Sequence, residues 1–225
     1  HALRARLRGS KLMADDALIA AKVSTRTRLD PGTYVITSPI QIGPSSLLQG
    51  SGQDTFIVTD IPGLTMMSLT SPWATVKDIH IGRYDWPTVM GVGISVAGLI
   101  DRTLLENVWV DGRYSTAALI ISGGAASSSI RHSTFWNYEP ERFTTIMDGA
   151  SDWSQFQVEH HQQSAQTTSA VIWMTNCSAV RFFGGNISFK AGNGCPGYIN
   201  QNNVNYMSYP PGPNVWYSTT LYQEP

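Results

Sequence analysis

Thiols, lysines and long apolar runs are all scarce in this sequence, and each shortage closes off a class of protein. Two cysteines in 225 residues, Cys177 and Cys195, cannot build a thiolate metal cage and allow one disulfide at most. Both lie in sequence rich in Gly, Asn and Ser, which leaves open a bridge between neighbouring turns and two separate buried thiols. Lysine occurs only at positions 11, 22, 77 and 190, charged residues make up 14% of the chain and the net charge is -1. Such a chain has no strong field for a nucleic-acid partner and too little charge for a disordered one. No stretch reaches the ~20 apolar residues of a membrane-spanning helix. The N-terminus lacks the apolar core of a secretory signal, so a mature, soluble chain is expected. His160 and His161 adjoin without a third ligand at a fitting spacing, so neither a metal nor another cofactor is expected.

What is present is apolar and periodic. At 42% hydrophobic content the chain is long enough for one buried domain. Ile94, Ile120, Ile146 and Ile172 recur at intervals of 26 residues, each within a short run of β-formers, and the next step reaches Tyr198 beside Ile199. A second strand recurs as Val76 to Ile81, Leu105 to Val110, Ile130 to Phe135, Phe156 to Val158 and Val180 to Phe182, at steps of 29, 25, 26 and 24 residues. Clusters such as Asp111-Gly112, Ser122-Gly-Gly124 and Asp148-Gly149 supply the corners. Connections this short hold no crossover helix, so each strand pairs with its equivalent one turn away and like residues stack. The four isoleucines are therefore expected as an internal ladder. Lys77, Glu106, Arg131, Gln157 and Arg181 are expected as an outward charge column, and His80, Trp109, Thr134 and His160 as the next outward column.

The expected fold is all-β, a single-stranded parallel β-helix of about 26 residues per turn spanning 29–205. Residues 1–28 hold a basic arm (Arg4, Arg6, Arg8, Lys11) and a cap helix over Asp15 to Lys22, which would cover the open strand edges. Residues 206–225 read as an extended tail rich in Pro and aromatics.

Leu29-Asp-Pro-Gly-Thr-Tyr-Val-Ile-Thr-Ser-Pro-Ile-Gln-Ile42 followed by Leu48-Gln-Gly-Ser-Gly52 resembles the opening turns of the pectate-lyase-like right-handed β-helix superfamily, after a cap helix that Asp15-Asp16 echoes. Leu105 to Gly112 and Ile130 to Asn137 resemble its repeating turn. The resemblance covers roughly residues 14 to 200 and implies the fold. It fixes no activity, because that superfamily includes polysaccharide lyases, glycoside hydrolases, epimerases and phage tailspikes. The Asp-Asp and Gly-His-Gly patterns of its pectin hydrolases and the Arg-x-Pro-x-x-Arg pattern of its pectate lyases are missing here. The short solenoid and the low lysine content bring it closest in character to phage tailspike and virion fibre proteins.

Loops after the second strand set gather chemistry on one edge. Tyr84, Trp86, Trp109, Arg113, Tyr114, Tyr138, Arg142 and His160 form the expected carbohydrate-binding set, since flat rings suit sugar faces and guanidinium groups suit hydroxyls and uronates. Asp111, Glu139 and Glu141 are the candidate catalytic carboxylates, as glycoside hydrolysis needs two such groups about 5 to 9.5 Å apart. The competing reading pairs these acids with the arginines. Three functions follow from different classes. The first is a virion (phage) spike or fibre, homotrimeric and docked on other virion proteins, that binds a host surface polysaccharide as receptor. The second is a polysaccharide lyase or glycoside hydrolase, acting at the virion surface or extracellularly, and the third a purely architectural module.

Overall fold

The computed structural model describes residues 23–83, 85–98, 101–123, 126–163, 170–190, 199–202, 215–217 and 220–224. The basic arm of Arg4, Arg6, Arg8 and Lys11 and the cap helix over Asp15 to Lys22 lie outside them. The chain is an all-β parallel solenoid of about six turns, each of about 26 residues. Its only described helical piece is a 3-10 turn at Gly52–Asp54.

One face stacks β3 (Ile40–Ile42), β6 (Thr65–Leu69), β8 (Met90–Ala97), β10 (Tyr114–Ser122), β13 (Thr145–Asp148), β16 (Ile172–Thr175) and β19 (Ile199–Asn202), every neighbouring pair parallel. The other two faces are halves of one bent sheet. At its middle, β7 (Thr75–Ile81) and β9 (Leu104–Val110) run through the bend unbroken. Elsewhere the bend divides each turn in two. The first half holds β1 (Arg26–Arg28), β4 (Leu47–Gln49), β11 (Ser128–Arg131), β14 (Trp153–Phe156), β17 (Arg181–Phe183) and β20 (Val215–Tyr217). The second holds β2 (Gly32–Val35), β5 (Thr55–Val58), β12 (Thr134–Asn137), β15 (Glu159–Gln162), β18 (Asn186–Lys190) and β21 (Thr220–Glu224). β1 already pairs with β4, and β20 and β21 carry both halves on into the segment read as a tail.

The bend has a backbone cause. Asp78, Asn107, His132, Gln157 and Gly184 stand one turn apart, all left-handed, with φ of 53, 51, 47, 52 and 68°. A left-handed residue turns the strand and restarts its alternation, so each turn reads inward, outward, bend, inward, outward, inward. Val76 to Ile81, Leu105 to Val110, Ile130 to Phe135, Gln155 to His160 and Phe182 to Ile187 follow that order in register. The second corner is built likewise by Ser45, Trp73, Arg102, Ser127, Asp152 and Ala179. At the bend a side-chain ladder offsets the strain: the Gln49 and Asn107 amides each donate to the Asp78 carboxylate, both at 2.9 Å.

The interior is a tube of stacked apolar columns, Met67, Ile94, Leu119 and Ile172 along one face and Ile81, Val110, Phe135 and Ile187 along another, all buried. One turn breaks these columns with polar residues. Thr145, Gln155 and His160 point inward and are buried. They satisfy one another: His160 Nδ1 meets Thr145 Oγ1 at 2.9 Å and Nε2 meets Gln155 Oε1 at 2.7 Å. Left unpaired, each would cost roughly 1 to 3 kcal/mol. Burial, and secondarily the neighbouring His161, push the His160 pKa down to about 3.

The register between turns overturns three expectations. The isoleucine ladder splits, because Ile94 pairs Leu119, Leu119 pairs Thr145 and Thr145 pairs Ile172. Ile120 and Ile146 do stack, but they face outward under Trp173. The charge column holds for Lys77, Glu106 and Arg131, then continues as Phe156 and Phe183, since Gln155 takes the inward position. Gln157 is a bend residue, and Arg181 pairs Ser154 while its guanidinium meets Asp152 at 2.5 Å. His160 leaves the outward column to Glu159, and that column runs His80, Trp109, Thr134, Glu159.

Cys177 is a free buried thiol that donates to the Met147 and Thr175 carbonyls, with its pKa raised by burial. Cys195 lies outside the described residues.

Candidate functional site

The outward side of the second half-sheet collects the polar aromatics. Its strands alternate strictly beyond the bend, so His80 of β7 and Trp109 of β9 project outward one above the other, with Phe56 of β5 below. Their rings form a file, Phe56 to His80 at 4.7 Å and His80 to Trp109 at 5.9 Å between centroids. The Arg83 guanidinium lies over Phe56, 5.1 Å from the centroid, and is held bidentate by Asp85 at 3.0 and 2.9 Å.

The file beside it begins with Asp111, which follows β9 with its amide on the Ile81 carbonyl. Its carboxylate reaches His80 Nε2 at 3.6 Å, and both side chains are about nine-tenths buried, at 11% and 9% exposure. Extending the β9 and β12 register by one residue places Trp136 over Asp111, and Trp136 in turn pairs with His161 and His161 with Ser188. The Trp136 ring contacts His161 at 4.6 Å and Tyr138 at 5.8 Å. His161 bridges Ser188 Oγ at 2.5 Å and Glu159 Oε2 at 3.3 Å, and Thr134 donates to Glu159 at 3.4 Å. This file has the connectivity of nucleophile, base and orienting acid, but Ser188 is fully buried. Its effect is to fix the imidazole against Trp136.

Several buried polar atoms beneath this face have no hydrogen-bond partner among the described residues. They are both ring nitrogens of His80, the indole nitrogens of Trp109 and Trp136, and Asp111 Oδ1. Folded proteins rarely keep such atoms without a reason. These atoms are themselves shielded from solvent, so what the face presents outward is the half-buried rings of Phe56, His80, Trp109 and Trp136.

The sequence-expected residues divide. Asp111 and Trp109 stand in this face, and Tyr138 borders it through Trp136. Arg113 and Glu139 lie at its rim and pair with each other across adjacent turns at 2.9 Å. Arg142 Nη1 donates to the Glu141 carbonyl in the exposed loop beside them. Trp86 is half-buried, its indole bonded to the Thr59 carbonyl at 2.6 Å. Two expectations are corrected. Tyr114 is wholly buried, its hydroxyl donating towards the Ile81 and Asp111 carbonyls at 3.0 and 3.3 Å. Burial, then the Asp111 charge, raise its pKa well above the ordinary phenol range. His160 lies inside the tube. Neither can touch a ligand on the surface. Tyr84 is outside the described residues.

His80, Trp136, Glu159 and His161 were not among the expected site residues. The signal for three of them is the bend residue: the second position after Asp78, Asn107, His132 or Gln157 faces outward, which selects His80, Trp109, Thr134 and Glu159 and places Trp136 two further on.

Comparison with known proteins adds no function. No family model matches the chain, and no curated protein matches it. Among solved structures, a Parabacteroides merdae protein assigned provisionally as a glycosyl hydrolase is similar at 11% identity over 92% of this chain and 84% of that one, with a TM-score of 0.37. The A-module of mannuronan C-5 epimerase AlgE4 from Azotobacter vinelandii aligns at 11% identity over 92% and 93% of the two chains, with a TM-score of 0.28. The AlgE6 A-module from the same organism aligns at 8% over 94% of each, with a TM-score of 0.25. At these scores the likenesses carry no inference about what the chain does.

Proposed function

We propose that this chain binds a polysaccharide along the face formed by Phe56, His80, Trp109, Asp111, Trp136 and Glu159. The observation that carries the reading is the file of half-buried rings Phe56, His80 and Trp109 on the outward face, with Trp136 and Tyr138 beside it. Sugars present apolar C–H faces that stack on such rings, and hydroxyls that can donate to the half-exposed Glu159 carboxylate beside them. Affinity electrophoresis against a panel of capsular and cell-wall glycans tests it. Retardation that is lost in Trp109→Ala and Trp136→Ala, with circular dichroism unchanged, is the expected result; no retardation by any glycan removes the reading.

The same reading takes the chain as a spike or fibre component at a virion surface, with the polysaccharide as receptor. What supports assembly into a homotrimer is the outward apolar column of Ile120, Ile146 and Trp173, the last stacked on Phe143 at 5.6 Å. A monomeric mass for the intact chain in light scattering counts against it.

Depolymerisation is the second reading, favoured by the 3.6 Å approach of His80 Nε2 to Asp111. Of the carboxylates expected to hydrolyse a glycosidic bond, Glu139 is tied to Arg113, which supports binding over cleavage. A reducing-sugar or unsaturated-uronate assay, with Asp111→Asn and Glu139→Gln as controls, separates the two.

A further inference from the structure

We infer that the wall of the first half-sheet, with the second corner beside it, is a separate binding site for an anionic glycan; the inference goes beyond the aromatic face proposed above, which lies across the bend. Two guanidinium groups on this wall are each laid on an aromatic ring one turn away. Arg102 lies over Trp73 at 4.4 Å from the ring centroid, and Arg131 over Phe156 at 5.6 Å. Phe156 in turn stacks on Phe183 at 4.7 Å, their planes 6° apart. These groups reach solvent: the Arg102 side chain is 57% exposed and Trp73 51%, Arg131 is exposed and Phe156 half-buried.

The fold does not require these side chains. Trp73 and Arg102 occupy the left-handed second corner, with φ of 62 and 55°, a conformation that bulky residues rarely take. Ser45, Ser127, Asp152 and Ala179 build the same corner in other turns with short side chains. An indole half in solvent adds little to the core, so what the pair contributes lies at the surface. Stacking occupies the flat faces of a guanidinium and leaves its N–H groups pointing out in the plane, a fork that matches carboxylate, sulfate or phosphate oxygens. Among the described residues Arg102 has one ion pair, Nε to Asp101 at 3.5 Å, and Arg131 has none. Arg28 of β1 stands exposed two turns below Lys77 in the same column, which lengthens the basic track. The rings beside the forks suit the apolar C–H faces of sugars. Glu106, between Lys77 and Arg131, and a net charge of -1 leave little field for the dense phosphates of a nucleic acid. The sparser charges of an anionic polysaccharide match the wall better.

The test uses the full chain at low salt, where charge contacts are strongest. Affinity gels and calorimetric titration present alginate, polygalacturonate and heparin, which carry carboxylates or sulfates, beside uncharged dextran and a single-stranded oligothymidylate. At least one anionic glycan is expected to bind, and Arg102→Gln combined with Arg131→Gln to weaken it roughly tenfold or more, as loss of hydrogen bonds to charged groups implies. Arg102→Lys keeps the charge but loses the planar fork, so it should weaken the same glycan several-fold with circular dichroism unchanged. No anionic glycan bound, or one bound equally well by the arginine double variant, overturns the inference. An oligothymidylate that binds as tightly as the best glycan overturns it too. Glycan binding lost in Trp109→Ala and Trp136→Ala but kept in the arginine double variant sinks this site and leaves the aromatic face standing, so each reading can fail alone.

Discussion

Thr145 Oγ1 and His160 Nδ1 meet at 2.9 Å inside the solenoid, fifteen residues apart in the chain and on two different faces of one turn. With Gln155 they cross-link the walls of the tube where the neighbouring turns place Leu119, Ile130 and Phe135 on one side and Ile172, Phe182 and Ile187 on the other. A neutral imidazole suits this place, since one ring nitrogen donates to Gln155 Oε1 while the other accepts from Thr145.

Stability should consequently fall in mild acid. The folded pKa of His160 is depressed to about 3, whereas the unfolded chain takes up the proton near its ordinary value of about 6.5. The contribution is complete above pH ~6.5 and is lost as pH drops from there towards ~3. Between pH 6.5 and 4.5 the site alone removes roughly 2 to 3 kcal/mol. Urea unfolding across this range should show the loss, and His160→Gln, with nothing to titrate, should flatten it. Parallel pH profiles for the two proteins would contradict the assignment.

Asp78 combines a left-handed backbone with two accepted hydrogen bonds. Asp78→Ala loses both bonds and keeps the strain, at a cost of about 2 kcal/mol. Asp78→Gly loses the same bonds but relaxes the backbone, so it should be the milder substitution by about 1 kcal/mol. Chemical denaturation gives the order directly, and glycine worse than alanine would refute the left-handed corner.

Tyr114→Phe removes the hydroxyl that bonds the Ile81 carbonyl and should lower stability by about 1 kcal/mol. Glycan affinity should be unaltered, because the ring is buried. Weaker glycan binding at unchanged fold would return Tyr114 to the site.

Cys177 should resist Ellman's reagent in the native protein and react once unfolded, as expected for a buried thiol with a raised pKa. Rapid native labelling, located by mass spectrometry of the peptide carrying Cys177, would contradict its burial.

The parallel solenoid and its period were legible in the sequence because most inward positions are aliphatic and most corners carry Gly, Asn or Asp. Register is less legible, both where two apolar residues adjoin, as at Leu119 and Ile120, and where a turn's inward positions are polar. Thr145 looked like a flank of Ile146, and Gln155 like a loop residue before Phe156. Each slip of one residue exchanges inside for outside, which is how His160 came to be read as a surface ligand. Trp109 and Asp111 were readable because β9 runs unbroken through its bend, in register with β7 on both sides of it. The pairing of Glu139 with Arg113 was anticipated only as the competing reading of that loop. The cluster of His80, Trp136 and His161 depends on register between turns, which no single strand reveals.

The two columns of left-handed residues also make turn number an adjustable quantity. Each corner is specified by one backbone conformation, met in turn by Asp, Asn, His, Gln and Gly, so any two equivalent corners are interchangeable splice points. Excising residues 107 to 131 would join Glu106 to His132 and leave a shorter tube with its walls still aligned. Copy number can thus vary without redesign of any remaining turn, as in other arrays held together by nearest neighbours.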